Sequence, residues 1–270
     1  MPSSGEEPSP SFPIYIPGRM RMCSRQSSER ILSSVYWVAS GMGIKIVFQR
    51  LNRKGPPLKK LTNLKAKLLK GFGSGGGGGL IWLNSELKKD IPDLKIILTD
   101  FYPNIPAFKF TKEKADNFEN VEKSVDARSV PNEFKGLRTQ FLSLHHFKPK
   151  DARLILQNAI DTDSSIAIFE GQERSFPSIL AMLLSPISVL LTTLFIRPFK
   201  IQRIVFTYLI PIVPLFVLWD GVISSLRTYS VEEMKKLVEN LNGTETYDWE
   251  INKLKSGPSV ILYLLGSKKQ

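Results

Sequence analysis

Residues 71–79 read GFGSGGGGG, seven glycines in nine positions. Composition alone describes a flexible spacer, because Gly/Ser runs behave as random coil. The flanks describe something else. A run with helical character, rich in lysine, leads into the glycines, and "LIWLNSELKKD" (80–90) follows as a helix. Roughly twenty residues beyond the turn comes Lys95-Ile-Ile-Leu-Thr-Asp100, a short apolar strand that stops on an acid. A glycine-rich turn, a helix and an acid-ended strand at that distance form the layout of a nucleotide-binding βαβ unit.

Outward from this unit the alternation continues. "LKIILTD" (94–100), "VEKSVDA" (121–127), "LRTQFLSLHHF" (137–147) and "SSIAIFE" (164–170) read as strands, with a helix at 150–160 between the last two. Such alternation implies an α/β fold with a parallel sheet and helices on both faces. "YDWEINKLKSGPSVILYLLG" reads as two strands joined at Gly257-Pro258, an antiparallel hairpin closing the sheet. In "TYSVEEM" Ser230 is placed as an N-cap with Glu233 three residues on.

The 270-residue chain is 42% hydrophobic, enough for one large domain with extensions or two small ones. One cysteine and two histidines exclude a disulfide framework and a Cys/His structural zinc site. The net charge is +12, and Ile31 to Ser85 contains no acid but nine cations, from Lys45 to Lys70. That block suits an anionic partner, a phospholipid surface or nucleic acid, or else a plain solvated face. Residues 1–28, rich in Ser, Pro and Glu, are expected to be disordered. Residues 29–70 form a basic segment. Its apolar positions 31, 35, 38, 42 and 46 recur at helical spacing, and Leu58, Leu61, Leu64 and Leu68 share one side of a second helix over 58–70. The order basic-then-apolar after Arg30 also permits a signal anchor, interrupted by Lys45, Gly41 and Gly43.

Taken together, residues 65–266 resemble a class I S-adenosylmethionine-dependent methyltransferase. The resemblance implies a Rossmann-like sheet of seven mostly parallel strands with an antiparallel C-terminal hairpin. It places S-adenosyl-L-methionine against the bare backbone of Gly73, Ser74, Gly75 and Gly77, where a side chain would collide. It gives Asp100 the ribose hydroxyls and Asp126 the adenine amine, while both could instead cap their own loops. "LHH" at 144–146 matches the end of the family's fourth strand. On a strand, adjacent His145 and His146 point to opposite faces, so at most one serves as catalytic base. The family's acid two residues before the first glycine is replaced by Gly71, and its Gly-Gly turn before the fifth strand by Asp163-Ser164-Ser165.

After the fifth strand, residues 175–228 form an apolar insertion. Neither 179–196 nor 204–219 contains a charge, and Arg197, Lys200 and Arg203 lie between them. An 18-residue helix rises ~27 Å against a ~30 Å hydrocarbon core. With the catalytic domain cytoplasmic, a spanning hairpin would carry its basic tip to the outside, against the positive-inside tendency. Monotopic association with an anionic membrane avoids that conflict, and a soluble lid over an apolar or lipid-like acceptor, or a dimer interface, is the other arrangement. Glu170, Trp219, Arg227 and Tyr229, with Asp220, are candidates for acceptor contact. Glu170–Arg174 and Asp220–Arg227 ion pairs are the alternative. The functions these readings support are a membrane-associated methyltransferase and a catalytically inactive relative serving as a membrane-bound interaction module. An RNA methyltransferase fits less well, because "LHHFKP" occupies the place of the Asn/Asp-Pro-Pro-aromatic motif.

Overall fold

The computed structural model describes residues 68–72, 78–196, 199–256 and 259–269. The tail 1–28, most of the basic segment 29–70 and the glycine positions 73–77 lie outside the described residues. Seven strands form one sheet: β1 (Leu68–Phe72), β2 (Lys95–Leu98), β3 (Phe118–Asn120), β4 (Leu137–Phe141), β5 (Ile166–Glu170), β6 (Tyr247–Ser256) and β7 (Ser259–Lys268). Their order is β3-β2-β1-β4-β5-β7-β6. The first five are parallel, and β7 joins β5 antiparallel before pairing with β6 in a hairpin. The chain runs outward from β1 to β3, then returns to the other side of β1 at β4. That reversal opens a crevice at the carboxyl ends of β1 and β4, where open α/β sheets bind ligands.

Alternation of side chains along the strands builds a core on each face. On one side Leu80, Leu83 and Leu87 of α1 (Gly78–Leu87) and Phe108 of α2 (Ile105–Lys112) cover Leu98, Phe141 and Phe169. On the other, Ile155, Leu156 and Ala159 of α3 (Pro149–Asp161) cover Ile166, Ile168 and Leu264. Each such side chain taken fully out of water contributes about 1.5–3 kcal/mol.

Three expectations need correction. The helix expected to reach Lys70 gives way at Leu68, where β1 begins, because this segment pairs with β2 and β4 on either side. A short apolar run fits a central strand as well as a helix, and only the pairing decides. The strand expected at 121–127 is a loop. Pairing with β2 ends at Leu98↔Asn120, and Val125 N–H donates instead to Asp100 C=O at 3.0 Å. The strand expected to run through His146 stops at Phe141, and Leu144–His146 form a 3-10 turn. Where the related fold has Gly-Gly, Asp163 adopts φ 50° and pairs with Lys268 at 2.6 Å.

Between β5 and the hairpin lies the helical insertion. It comprises α4 (Phe176–Leu183), α5 (Ser185–Thr192), a 3-10 turn (Thr193–Phe195), α6 (Ile201–Ile204) running into a π turn (Val205–Leu209), and α7 (Ile212–Arg227). Phe176–Phe195, 20 residues, is by length and composition apolar enough to cross a membrane, and only 6% of its most apolar window is buried. The returning arm bends by 74° between Ile201–Leu209 and Ile212–Arg227. Pro211 stands at the break, where it cannot donate a helical hydrogen bond. α7 packs on α4 and α5. α8 (Val231–Glu239) then opens with the expected capping box, Ser230 and Glu233 bonding reciprocally.

Candidate active site

The carboxyl ends of β4 and β5 meet at a glutamate and a histidine. Phe141↔Phe169 is the last pair between β4 and β5; beyond it β4 leaves the sheet while Glu170 still pairs with Leu262 of β7. Leu142 turns the chain with φ 52°, its N–H still donating to Phe169 C=O at 2.8 Å. A leucine in the left-handed region is strained, and the strain lies where β4 hands over to the 3-10 turn. That turn brings two backbone N–H groups and a ring against Glu170. Oε1 of Glu170 accepts from Leu144 N at 2.7 Å and from His145 N at 3.3 Å, and Oε2 lies 2.8 Å from His145 Nδ1. Glu170 is 0% exposed and His145 6%. An acceptor of two backbone N–H groups suits the carboxylate form, so Nδ1 carries the ring proton and Nε2 is the basic nitrogen. A carboxylate thus fixes both the tautomer and the tilt of the imidazole.

His146 does not oppose His145 across a strand. The two rings lie 4.2 Å apart at 44°. His146 is exposed, and His145, Glu170 and Arg227 act on it electrostatically. Lost hydration, then the neighbouring His145, push it down to about 4, with Glu170 opposing and Arg227 adding to the fall. α7 closes over the pair. Asp220 on that helix is half-buried, and lost hydration raises its carboxyl while His145 lowers it. The site is therefore His145, held by Glu170 and faced by Asp220, beneath α7.

The remaining expected site residues divide. Asp100 follows β2 and caps its own loop, Oδ1 accepting from Tyr102 N at 3.0 Å. Asp126, expected at the adenine, closes on Arg128. Oδ1 accepts from Arg128 N at 2.9 Å and Oδ2 from Nη2 at 2.7 Å, while Arg128 also reaches Asp151 at 3.2 Å. Burial pushes Asp126 up, but the hydrogen bonds and charge of Arg128 outweigh it and hold the carboxyl below 3.8. Gly73, Ser74, Gly75 and Gly77 lie outside the described residues. Gly71 stands in β1, in register with Leu98 and Thr139.

Of the acceptor candidates, Glu170 binds His145 rather than Arg174, whose guanidinium bonds Glu233 and Thr228 C=O. Tyr229 is 7% exposed in the core, its hydroxyl donating to Phe147 C=O at 2.6 Å. Trp219 is 68% exposed, and Arg227 is exposed. No Asp220–Arg227 ion pair forms among the described residues, and none of them cluster as metal ligands. In the sequence Glu170 and His145 are linked only by position, one ending β5 and the other following β4, its parallel neighbour.

No protein-family model and no curated protein matches the sequence. Solved structures do. The chain is similar to NcsB1, an O-methyltransferase from neocarzinostatin biosynthesis. Its complex with S-adenosyl-L-homocysteine and 1,4-dihydroxy-2-naphthoic acid matches at TM-score 0.54 and 11% identity, over 91% of this chain and 61% of that one. Its complex with S-adenosylmethionine and 2-hydroxy-5-methyl naphthoic acid matches at 0.53 and 12%, over 91% and 60%. Human N-acetylserotonin methyltransferase with S-adenosylmethionine matches at 0.47 and 14%, over 91% and 57%. The chain thus spans about three fifths of the length of these structures. It has the fold of the class I S-adenosylmethionine-dependent methyltransferases.

Proposed function

We propose that this protein is an S-adenosyl-L-methionine-dependent methyltransferase acting on the hydroxyl of a small apolar or lipid-like acceptor. In this reading it is cytoplasmic and associated with an anionic membrane surface through its insertion. The observation that carries the reading is the Glu170–His145 pair, 2.8 Å apart at the strand ends of this fold. Asp100, at the carboxyl end of β2 beside β1, is in place to accept hydrogen bonds from a ribose. Gly71, in register with Leu98 and Thr139, adds no side chain of its own at the end of β1. Bound there, S-adenosyl-L-methionine supplies an electrophilic methyl group. The protein's task is then to orient the acceptor, exclude water and take up a proton. His145 Nε2 takes the acceptor's proton, Glu170 stabilises the resulting imidazolium, and α7 shields both from water.

Titration calorimetry with S-adenosyl-L-methionine and its demethylated product tests the cofactor. Binding that weakens at least tenfold in Asp100→Ala supports the assignment. Absence of heat and of thermal shift at millimolar cofactor overturns it. One observation favours a second reading, an inactive membrane-bound interaction module: Gly71 lacks the carboxylate that would bind the cofactor's ammonium group, a loss of about 1.5–3 kcal/mol.

A further inference from the structure

Trp219 and Asp220 are neighbours on α7 with different surroundings. The indole is 68% exposed on the outer surface of the insertion, while the carboxyl is half-buried and interacts with His145 beneath. The roof of the site is α7, which contacts the 3-10 turn of His145, with α4 and α5 packed on it. The outward faces of this insertion are apolar. Leu183, Leu184, Ile187, Leu191, Leu194 and Phe195 recur at helical spacing and are each more than half exposed. Across the 74° bend, Leu209 at 77% and Leu215 at 59% extend the same kind of surface. A monomer in water rarely tolerates so large an apolar patch.

We infer that this surface docks on an anionic lipid bilayer and that the acceptor enters the site from the lipid through the α4–α7 roof. Its class is a phenol or enol carrying a long apolar tail. The inference rests on the methyltransferase reading for its acceptor but not for its docking. Three observations select lipid as the occupant. The bent arm spreads the apolar residues over a surface instead of two parallel rods, which suits lying within the interface. Exposed Arg227 beside the site and Lys200 at the insertion's turn add cations that match headgroup phosphates, in a chain of net charge +12. α7 joins the apolar helices α4 and α5 to the 3-10 turn that carries His145, so this is the path by which a tail in hydrocarbon brings its hydroxyl toward Nε2. An imidazole base is matched to a phenolic or enolic hydroxyl, which ionises near about 10, and not to the far less acidic alkanols. The acceptor's O–H proton passes to Nε2. Its oxygen forms the new bond to the methyl carbon as the sulfur–carbon bond breaks, the electron pair remaining on sulfur.

The test uses the full chain, flotation with vesicles of phosphatidylcholine and phosphatidylglycerol, and two probes: 4-ethylphenol in water and 4-hexadecylphenol in the vesicles. The expected result is that the wild type floats and methylates the tailed phenol at least tenfold more efficiently than the short one. Leu191→Asp/Phe195→Asp should stop floating and lose at least tenfold on the tailed phenol. It should keep its rate on 4-ethylphenol within twofold and its circular dichroism unchanged. Flotation unaffected by the double substitution overturns the docking. So does a vesicle-independent dimer that the substitution dissolves, since a second copy would then cover the face. Equal loss on both phenols, or no preference for the tail, overturns entry from the lipid. Cofactor-bound protein that methylates neither probe overturns the acceptor class. Absence of cofactor binding with flotation intact overturns the methyltransferase reading and its acceptor while the docking stands.

Discussion

Glu170 holds His145 at two points, its Oε2 2.8 Å from Nδ1 and its Oε1 3.3 Å from the backbone nitrogen. Because the carboxylate grips both ring and main chain, the imidazole's position is set by the end of β5, although His145 itself lies in the 3-10 turn after β4. Removing either partner therefore has different consequences.

His145→Ala should lower methyl transfer by a hundredfold or more, the usual contribution of a positioned base, with cofactor affinity within threefold of wild type. Glu170→Gln should leave the fold intact but alter the pH–rate profile, because an amide no longer dictates which ring nitrogen carries the proton. Glu170→Ala leaves the Leu144 and His145 N–H groups without their acceptor, and about 1–3 kcal/mol of stability should be lost in urea unfolding.

Tyr229→Phe separates core from acceptor contact. Its hydroxyl donates to Phe147 C=O at 2.6 Å, so the substitution should cost about 1 kcal/mol in the denaturation midpoint. Turnover of the folded enzyme should not change. A large rise in KM with unchanged stability would put the hydroxyl in the acceptor site after all.

Two glycines face side chains of opposite compliance. A Cβ on Gly266 would sit 2.3 Å from Trp249 Cζ3, a ring fixed by its stacking on Tyr247 and its hydrogen bond to Thr244. Gly266→Ala should cost about 1–3 kcal/mol. A Cβ on Gly221 would meet the Met182 sulfur at 2.8 Å, and that flexible thioether can swing aside. Gly221→Ala should stay within about 0.5 kcal/mol, read from the same thermal unfolding series.

Acid should weaken the loop after β3 through Asp126. Its folded carboxyl is held below the ordinary value despite the opposing effect of burial, because Arg128 hydrogen-bonds and pairs with it. The stabilisation is therefore complete above the unfolded value, near about 3.9, and is lost as pH falls through the lower folded value. Arg128→Met should raise the Asp126 titration seen by NMR and remove this part of the acid sensitivity.

Asp163 occupies a backbone conformation that glycine adopts without cost, φ 50°, while its carboxylate meets exposed Lys268. An exposed pair of this kind contributes little, so its loss is offset by the relief of left-handed strain. Asp163→Gly should be nearly neutral in stability. Asp163→Val, β-branched in that region, should lose about 1–2 kcal/mol, measured by calorimetric melting.

Local pattern carried much of the fold. The apolar run of β2, the amphipathic stretch of α3, the Ser230–Glu233 capping box and the alternation of β6 and β7 depend on neighbours a few residues away, and each could be read in the sequence. β1 could not, because Leu68-Leu69-Lys70 fits a helix until β2 and β4 supply partners on both sides. The loop at 121–127 differs for a related reason: Val121 and Val125 would share one face of an extended strand, yet the sheet edge ends at Asn120.

By itself the sequence determined the order of elements, the apolar character of the insertion and the residue types available for chemistry, since these follow from propensity and composition along the chain. Only the tertiary structure decided which groups act together. Glu170 is 25 residues from His145, and Asp220 is farther still. Strand register and the crossing of α7 over the sheet bring them to one place, and those are long-range packing outcomes that no local periodicity encodes.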